Sequence, residues 1–169
     1  MTDCYSCRVE AAPEPLPPRE RVYDDGLWRV AHATSSALPG WLVVLPKRHV
    51  TNLAELTAAE SARLGPLLQR LSAALAEVTG CVKTYVALFA EAEGFEHLHL
   101  HVVPRAPDLP DDRRGPRVFG YLAIEESQWL PEPERDRLAA AISAAVGCGS
   151  SADKADHIAI SEEGAVGCQ

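Results

Sequence analysis

The sequence lacks both an excess of positive charge and any long apolar run. Sixteen lysines and arginines stand against 24 aspartates and glutamates, which gives a formal net charge of −8 at pH 7. This charge argues against general nucleic-acid binding, and an anionic substrate would need a local basic patch. No apolar run approaches the roughly 20 residues that a membrane-spanning helix needs. We therefore expect no nucleic-acid or membrane partner.

The cysteines are irregularly spaced. The five cysteines are an odd number, which does not fit a disulfide framework. The opening residues Met1-Thr2-Asp3-Cys4 do not start a signal peptide, so we expect a cytoplasmic protein. Cys4 and Cys7 are then either metal ligands or a redox pair. The redox alternative needs a thioredoxin-like βαβ context, which the proline-rich residues 13–18 do not supply.

The length of 169 residues suits one domain with a real core. From Gly147 onward small and polar residues dominate and hydrophobic periodicity disappears. The sequence therefore predicts a domain over residues 1–146 and a disordered tail over 147–169.

The order of predicted elements indicates an α+β domain with a mainly antiparallel sheet. A capping box at Thr57 and Glu60 begins one long helix, and Gly80 ends it. His32, near the end of the first hairpin, is predicted to be an ordinary surface residue. The remaining predictions are a hairpin over 21–32, strands over 41–45, 82–89 and 97–104, a loop over 105–120, an edge strand over 121–124 and a helix over 134–146.

The most distinctive stretch runs from His97 to Pro104, where polar and apolar residues alternate as in a half-buried strand. Alternate residues of a strand share a face, so His97, His99 and His101 are expected to lie on one side, about 7 Å apart. Such a row can form a metal site or a catalytic site that handles anions. The alternative is a solvated strand face that carries histidines by chance.

This stretch resembles the signature of the histidine triad (HIT) family, in which three histidines alternate with apolar residues. The segment Gly40 to His49 is similar to a second strand of that family, and Cys4-Tyr5-Ser6-Cys7 is similar to the Cys-x-x-Cys of its zinc-carrying branch. The three segments occur in family order between residues 4 and 105. The resemblance implies a HIT-like fold and a homodimer that pairs across the long helix and an edge strand.

The resemblance also implies roles for individual residues. In zinc-carrying relatives, the positions that match Cys4, Cys7, His49 and His97 bind a structural Zn²⁺. A Cys2His2 set of this kind closes a tetrahedral site and leaves no open position for catalysis. The position of His99 is the nucleophile that forms a phosphohistidine, and His101 supports it.

The chemistry of imidazole agrees with these roles. A neutral imidazole is a good nucleophile near pH 7 because its reference pKa is about 6.5. We expect a hydrolase of a nucleotide-like phosphoanhydride or phosphoramidate that acts through His99. Two alternatives stay open: a nucleotidyl transferase of the same mechanism, and a non-catalytic, zinc-stabilised binding protein.

Some positions depart from the pattern of nucleotide-handling relatives. Ala33 stands where those relatives carry an aspartate for the ribose hydroxyls, and Glu93 and Gly94 stand where they carry glutamine and serine or threonine. Leu88-Phe89-Ala90 replaces a segment that contains asparagine. We therefore expect weak activity on simple adenosine phosphoramidates.

Overall fold

The protein is built on a five-stranded sheet in which all neighbouring strands run antiparallel. The computed structural model describes residues 4–13, 15–122 and 124–148. The strands are β1 (Tyr23–Asp24), β2 (Trp28–His32), β3 (Leu42–Pro46), β4 (Lys83–Leu88) and β5 (Leu100–Arg105), in the spatial order β1-β2-β3-β5-β4. The helices are α1 (Tyr5–Glu10), α2 (Ala58–Thr79) and α3 (Glu132–Cys148). The predicted α+β class with an antiparallel sheet is confirmed.

The main core lies between one face of the sheet and the helices α2 and α3. Helix α2 begins at the predicted capping box, where both hydrogen bonds between Thr57 and Glu60 are present. It ends at Gly80, whose φ of +67° is the left-handed conformation that glycine adopts without steric cost. The buried residues of this core include Trp28, Val30, Leu42, Val44, Leu67, Leu71, Leu75, Val102 and Ile142.

A second apolar cluster covers the opposite face of the sheet. Because side chains alternate along a strand, Trp41 and Val103 point away from the main core. They are fully buried against the segment 109–122, which contains the short 3-10 helices Asp111–Arg113 and Gly115–Tyr121. Phe119, Tyr121 and Leu122 contribute to this cluster. The prediction of an edge strand over 121–124 is therefore wrong for its described part, since Tyr121 ends a 3-10 helix and packs with Leu122 in this cluster; residue 123 lies outside the described residues.

Several boundaries differ from the sequence prediction. The paired part of the triad strand begins only at Leu100, so His97 and His99 precede it. Helix α1 was not predicted, and α3 spans Glu132–Cys148 instead of 134–146. The predicted tail therefore overlaps the end of α3, and from residue 149 it lies outside the described residues. Within the described part of the chain, no helix is both long enough and apolar enough to cross a membrane.

Candidate active site and metal centre

Four sulfur- and nitrogen-bearing side chains converge beside the triad. Cys4 is the N-cap of α1 and Cys7 lies in its first turn, while His49 follows β3 and His97 precedes β5. Cys4 Sγ lies 3.6 Å from His97 Nδ1, and Cys7 Sγ lies 3.3 Å from His49 Nδ1 and 3.7 Å from His97 Nδ1. The four candidate ligand atoms all lie within 4.8 Å of one another.

The geometry of this group fits a tetrahedral metal ion. Bonds of about 2.3 Å to sulfur and about 2.0–2.1 Å to nitrogen give sulfur–nitrogen edges of about 3.6 Å. The Nε2–H of His97 donates to the carbonyl oxygen of Pro46 at 2.8 Å, which leaves Nδ1 free as the ligand atom. Burial lowers the pKa of His97, which favours the neutral form that a metal ligand must have. These residues could hold a metal ion.

The two cysteine sulfurs are placed to bind a cation. Burial and the neighbouring Cys4 raise the pKa of the Cys7 thiol to about 11. Two sulfurs in this position both become thiolates only when a positive charge between them offsets their repulsion. The donor set and its electrostatics therefore agree, and the described residues form an antiparallel sheet instead of the thioredoxin-like βαβ context that the redox alternative needs.

A buried ion pair that sequence reasoning missed fastens α1 to the sheet. Arg29 of β2 is 2% exposed, and its guanidinium contacts the carboxylates of Glu10 and Glu20. Lys47 contacts Glu10 as well. A six-residue helix is not stable alone, so these contacts place Cys4 and Cys7 opposite the histidines. The available signal was an arginine between the apolar residues Trp28 and Val30.

The protonation of His99 follows from its hydrogen bond. His99 Nδ1 lies 2.8 Å from the backbone carbonyl oxygen of His97. A carbonyl only accepts, so Nδ1 carries the proton and donates. The lone pair of the neutral ring is therefore on Nε2, the atom that is free to attack an electrophile.

The neighbouring ring of His101 has the opposite arrangement. The indole Nε1–H of Trp41 donates to His101 Nδ1 at 3.0 Å, which places the proton of a neutral His101 on Nε2. Burial, with a smaller contribution from His99, lowers the pKa of His101 to about 4, so the ring is neutral at pH 7. The two ring centroids are 4.9 Å apart. The unprotonated Nε2 of His99 and the Nε2–H donor of His101 thus lie on neighbouring rings. This arrangement suits attack on an electrophile, such as phosphorus, whose oxygens gain negative charge.

Aromatic residues enclose His101, and sequence reasoning did not identify them. The ring of Phe119 packs edge-on at 5.1 Å from His101 and at 5.3 Å from Trp41, and Phe89 packs against Phe119 at 5.0 Å. The sequence predicts only a strand at Trp41 and a loop at Phe119. The adjacent motif glycine, Gly40, was the one local signal near Trp41.

The arginines of the segment 109–122 bind within that segment. Arg114 Nε donates to the carbonyl of Leu109, and Arg117 donates to the carbonyl of Asp111. The guanidinium of Arg113 lies over the ring of Tyr121. These contacts leave the aromatic residues, rather than the arginines, beside the triad.

The positions that depart from the nucleotide-handling pattern have different surroundings. Ala33 is buried in the second apolar cluster, and its backbone N–H donates to the carbonyl of Trp41. Glu93 is exposed, and Gly94 has a φ of +79° and accepts a hydrogen bond from the backbone N–H of Tyr5. Residue 33 therefore offers no side-chain group to a ribose.

Two comparisons find similar proteins, and a third does not. Residues 16–108, more than half of the chain, match the family model described as HIT domain. Comparison with the curated proteins gives no match. A zinc-bound histidine triad family protein from Mycobacterium smegmatis has a TM-score of 0.64 and 22% identity, and the match covers 88% of this chain and 96% of that one.

Two further solved structures extend this comparison. A histidine triad protein from Sinorhizobium meliloti has a TM-score of 0.61 and 27% identity over 74% of this chain and 87% of its own. A uridylyltransferase has a TM-score of 0.59 and 22% identity over 86% of this chain, but only 45% of its own length. The similarity thus extends to enzymes that are larger than this chain.

Proposed function

This chain belongs to the HIT domain family, and from that premise we propose that it hydrolyses a nucleotide-type phosphoanhydride or phosphoramidate. The observation that carries the proposal is the hydrogen bond from His99 Nδ1–H to the carbonyl of His97, 2.8 Å long. It leaves the lone pair of the neutral ring on Nε2 and holds the ring in one tautomer. A nucleophilic histidine needs both properties.

The reaction has two steps. His99 Nε2 forms a bond to phosphorus while the bond to the leaving group breaks, and the leaving group departs with the electron pair. The Nδ1–H of the resulting phosphohistidine still donates to the His97 carbonyl, which stabilises the positive charge on the ring. Water then attacks phosphorus and loses a proton to the solvent, while the bond between phosphorus and Nε2 breaks and its electron pair returns to His99. His101 Nε2–H donates a hydrogen bond to a phosphoryl oxygen in both steps.

The same intermediate would also serve a nucleotidyl transferase, with an acceptor in place of water. The similarity to a uridylyltransferase favours this second candidate. Analysis of the products with and without candidate acceptors distinguishes the two, because a transferase gives a new covalent product only when its acceptor is present.

Zinc is proposed as the structural ion of the site formed by Cys4, Cys7, His49 and His97. The supports are the tetrahedral spacing of these residues and the similarity to a zinc-bound family member. Bound there, zinc would have four protein ligands and would supply structural stability rather than an activated water. His97 links this site to the nucleophile, because its backbone carbonyl orients His99.

The substrate is proposed to differ from simple adenosine phosphoramidates. The buried Ala33 cannot bind ribose hydroxyls, and the exposed carboxylate of Glu93 repels phosphate where it comes near. Missing hydrogen bonds of this kind lower discrimination and rate on the usual substrates. Turnover of adenosine phosphoramidate at ordinary family efficiency would contradict this proposal.

A homodimer that pairs through β4 and α2 is proposed as the assembly. β4 is an edge strand, and Val86 on it and Val82 just before it are 48% and 52% exposed. Exposed apolar residues along an unpaired strand edge are typical of an interface. Light scattering of the purified protein should give twice the chain mass, whereas a monomer would contradict the proposal.

Mass spectrometry tests the proposed nucleophile. The protein is incubated with a nucleotide mixture, quenched at alkaline pH and digested. The expected result is a phosphoryl or nucleotidyl adduct on the peptide that contains His99, and its absence from the His99→Asn variant. A folded wild-type protein that forms no adduct with any compound would favour the non-catalytic binding protein instead.

A further inference from the structure

The hydrogen bond from Trp41 restricts the His101 imidazole to one tautomer. The indole is fully buried, and its Nε1–H donates to His101 Nδ1 at 3.0 Å. An indole nitrogen donates and never accepts. Nδ1 must therefore hold a lone pair, and the single proton of the neutral ring lies on Nε2. Neither the other tautomer nor the doubly protonated cation can accept this hydrogen bond.

The enclosure of the ring strengthens this restriction. Phe119 packs edge-on against both Trp41 and His101 and offers no hydrogen-bonding group on that side. The second imidazole, that of His99, lies 4.9 Å away. A proton arriving at His101 Nδ1 would thus break the bond to Trp41 and find no replacement acceptor among these neighbours.

A general acid must lose a proton, whereas a hydrogen-bond donor keeps it. Histidine acts as a general acid in its imidazolium form, which has protons on both nitrogens. A neutral ring that gave up its Nε2 proton would become an imidazolate anion, which is not accessible near pH 7. His101 can therefore stabilise charge on a phosphoryl oxygen, but it has no proton to transfer.

We propose that Trp41 is a positioning residue that confines His101 to hydrogen-bond donation and withholds it from general acid catalysis. The inference rests on the proposed function and narrows its substrate class. When the His99–phosphorus bond forms, the leaving group departs with its electron pair and takes any proton from water. The enzyme therefore favours phosphoanhydrides and other substrates whose leaving groups are stable anions over phosphoramidates of basic amines.

Nitrogen NMR of ¹⁵N-histidine-labelled protein tests the tautomer without any substrate. The His101 signals are assigned by their loss in His101→Asn. We expect one protonated Nε2 and one unprotonated Nδ1 in the wild type. In Trp41→Phe the two resonances should move toward each other, because the ring then exchanges between tautomers.

Trp28→Phe is the matched control for this measurement. The indole of Trp28 is equally buried and also donates one hydrogen bond, to the carbonyl of Glu60, but on the opposite face of the sheet. This variant should keep the wild-type His101 resonances. A wild-type Nδ1 that carries the proton would overturn the proposal even where Trp41→Phe does not fold, and so would a Trp41→Phe spectrum with unchanged His101 signals.

A series of adenosine 5′-aryl phosphates with phenols of graded pKa tests the catalytic consequence. The rate of adduct formation on His99 should fall severalfold for each unit increase in the pKa of the phenol, and the slope should be shallower in Trp41→Phe. A flat wild-type slope would show general acid catalysis and refute the proposal. If neither this series nor the nucleotide mixture forms an adduct on His99, the proposed function fails, while the NMR measurement still decides the tautomer of His101.

Discussion

Acid should destabilise this protein through His32, a histidine that was predicted to lie on the surface but is only 2% exposed. Its Nδ1–H donates to the carbonyl of Ala33, and its Nε2 accepts the backbone N–H of Gly40, both at 3.0 Å. The ring therefore holds one proton and has no room for a second. Burial, aided by the charge of Arg135, lowers its pKa to about 4.

The size and sign of the effect follow from the shift in pKa. An unfolded histidine titrates near 6.5, so between about pH 6.5 and about pH 4 the unfolded chain binds a proton that the folded protein does not. The contribution of His32 to the free energy of unfolding is therefore fully present above about pH 6.5 and falls as the pH falls. At about 1.4 kcal/mol per pH unit, His32 alone should cost about 2 kcal/mol between pH 7 and pH 5.

Urea unfolding of the wild type and of His32→Asn at both pH values measures this contribution. The variant is less stable at pH 7, but its free energy of unfolding should fall by about 2 kcal/mol less than that of the wild type on going to pH 5. Acid-driven loss of a metal ion is common to both proteins and cancels in the comparison. Equal losses in the two proteins would refute the reasoning.

Three further changes have distinct expected outcomes. Cys4→Ser should abolish stoichiometric zinc binding, and it should lower the melting temperature more than it lowers the turnover per folded molecule. Metal analysis and thermal unfolding measure these effects, and an unchanged zinc content would contradict the prediction. Because it removes the hydrogen-bond donor to the phosphoryl oxygen, His101→Ala should slow formation of the His99 adduct by roughly a hundredfold in rapid-quench experiments, with zinc content unchanged. Gly40→Ala should lower the free energy of unfolding in urea by about 1–3 kcal/mol, since φ is +80° and the new Cβ would lie 2.9 Å from Thr79 Cγ2. Gly26→Ala is its control, because Gly26 has a similar φ of +84° but open space around it.

Features with a local signature were predictable from the sequence. The capping box at Thr57 and Glu60 needs only two residues three positions apart, and it is present. Alternation predicted the triad strand, although pairing begins only at Leu100. The prediction for His32 was wrong, because the acceptor and donor that satisfy a buried imidazole here come from the backbone of a loop whose path the sequence does not reveal.

The sequence by itself determined the family, the class of fold and the set of side chains that converge, since each of these rests on residue types at short, fixed spacing. Only the tertiary structure decided which ring nitrogens of His99 and His101 carry the proton. Trp41 and His101 are 60 positions apart in the chain, and their hydrogen bond exists because β3 and β5 are neighbours in one register. It likewise decided that Phe119 encloses His101. The reason is physical: a tautomer depends on which donor or acceptor faces each ring nitrogen, and that partner is set by packing between distant segments.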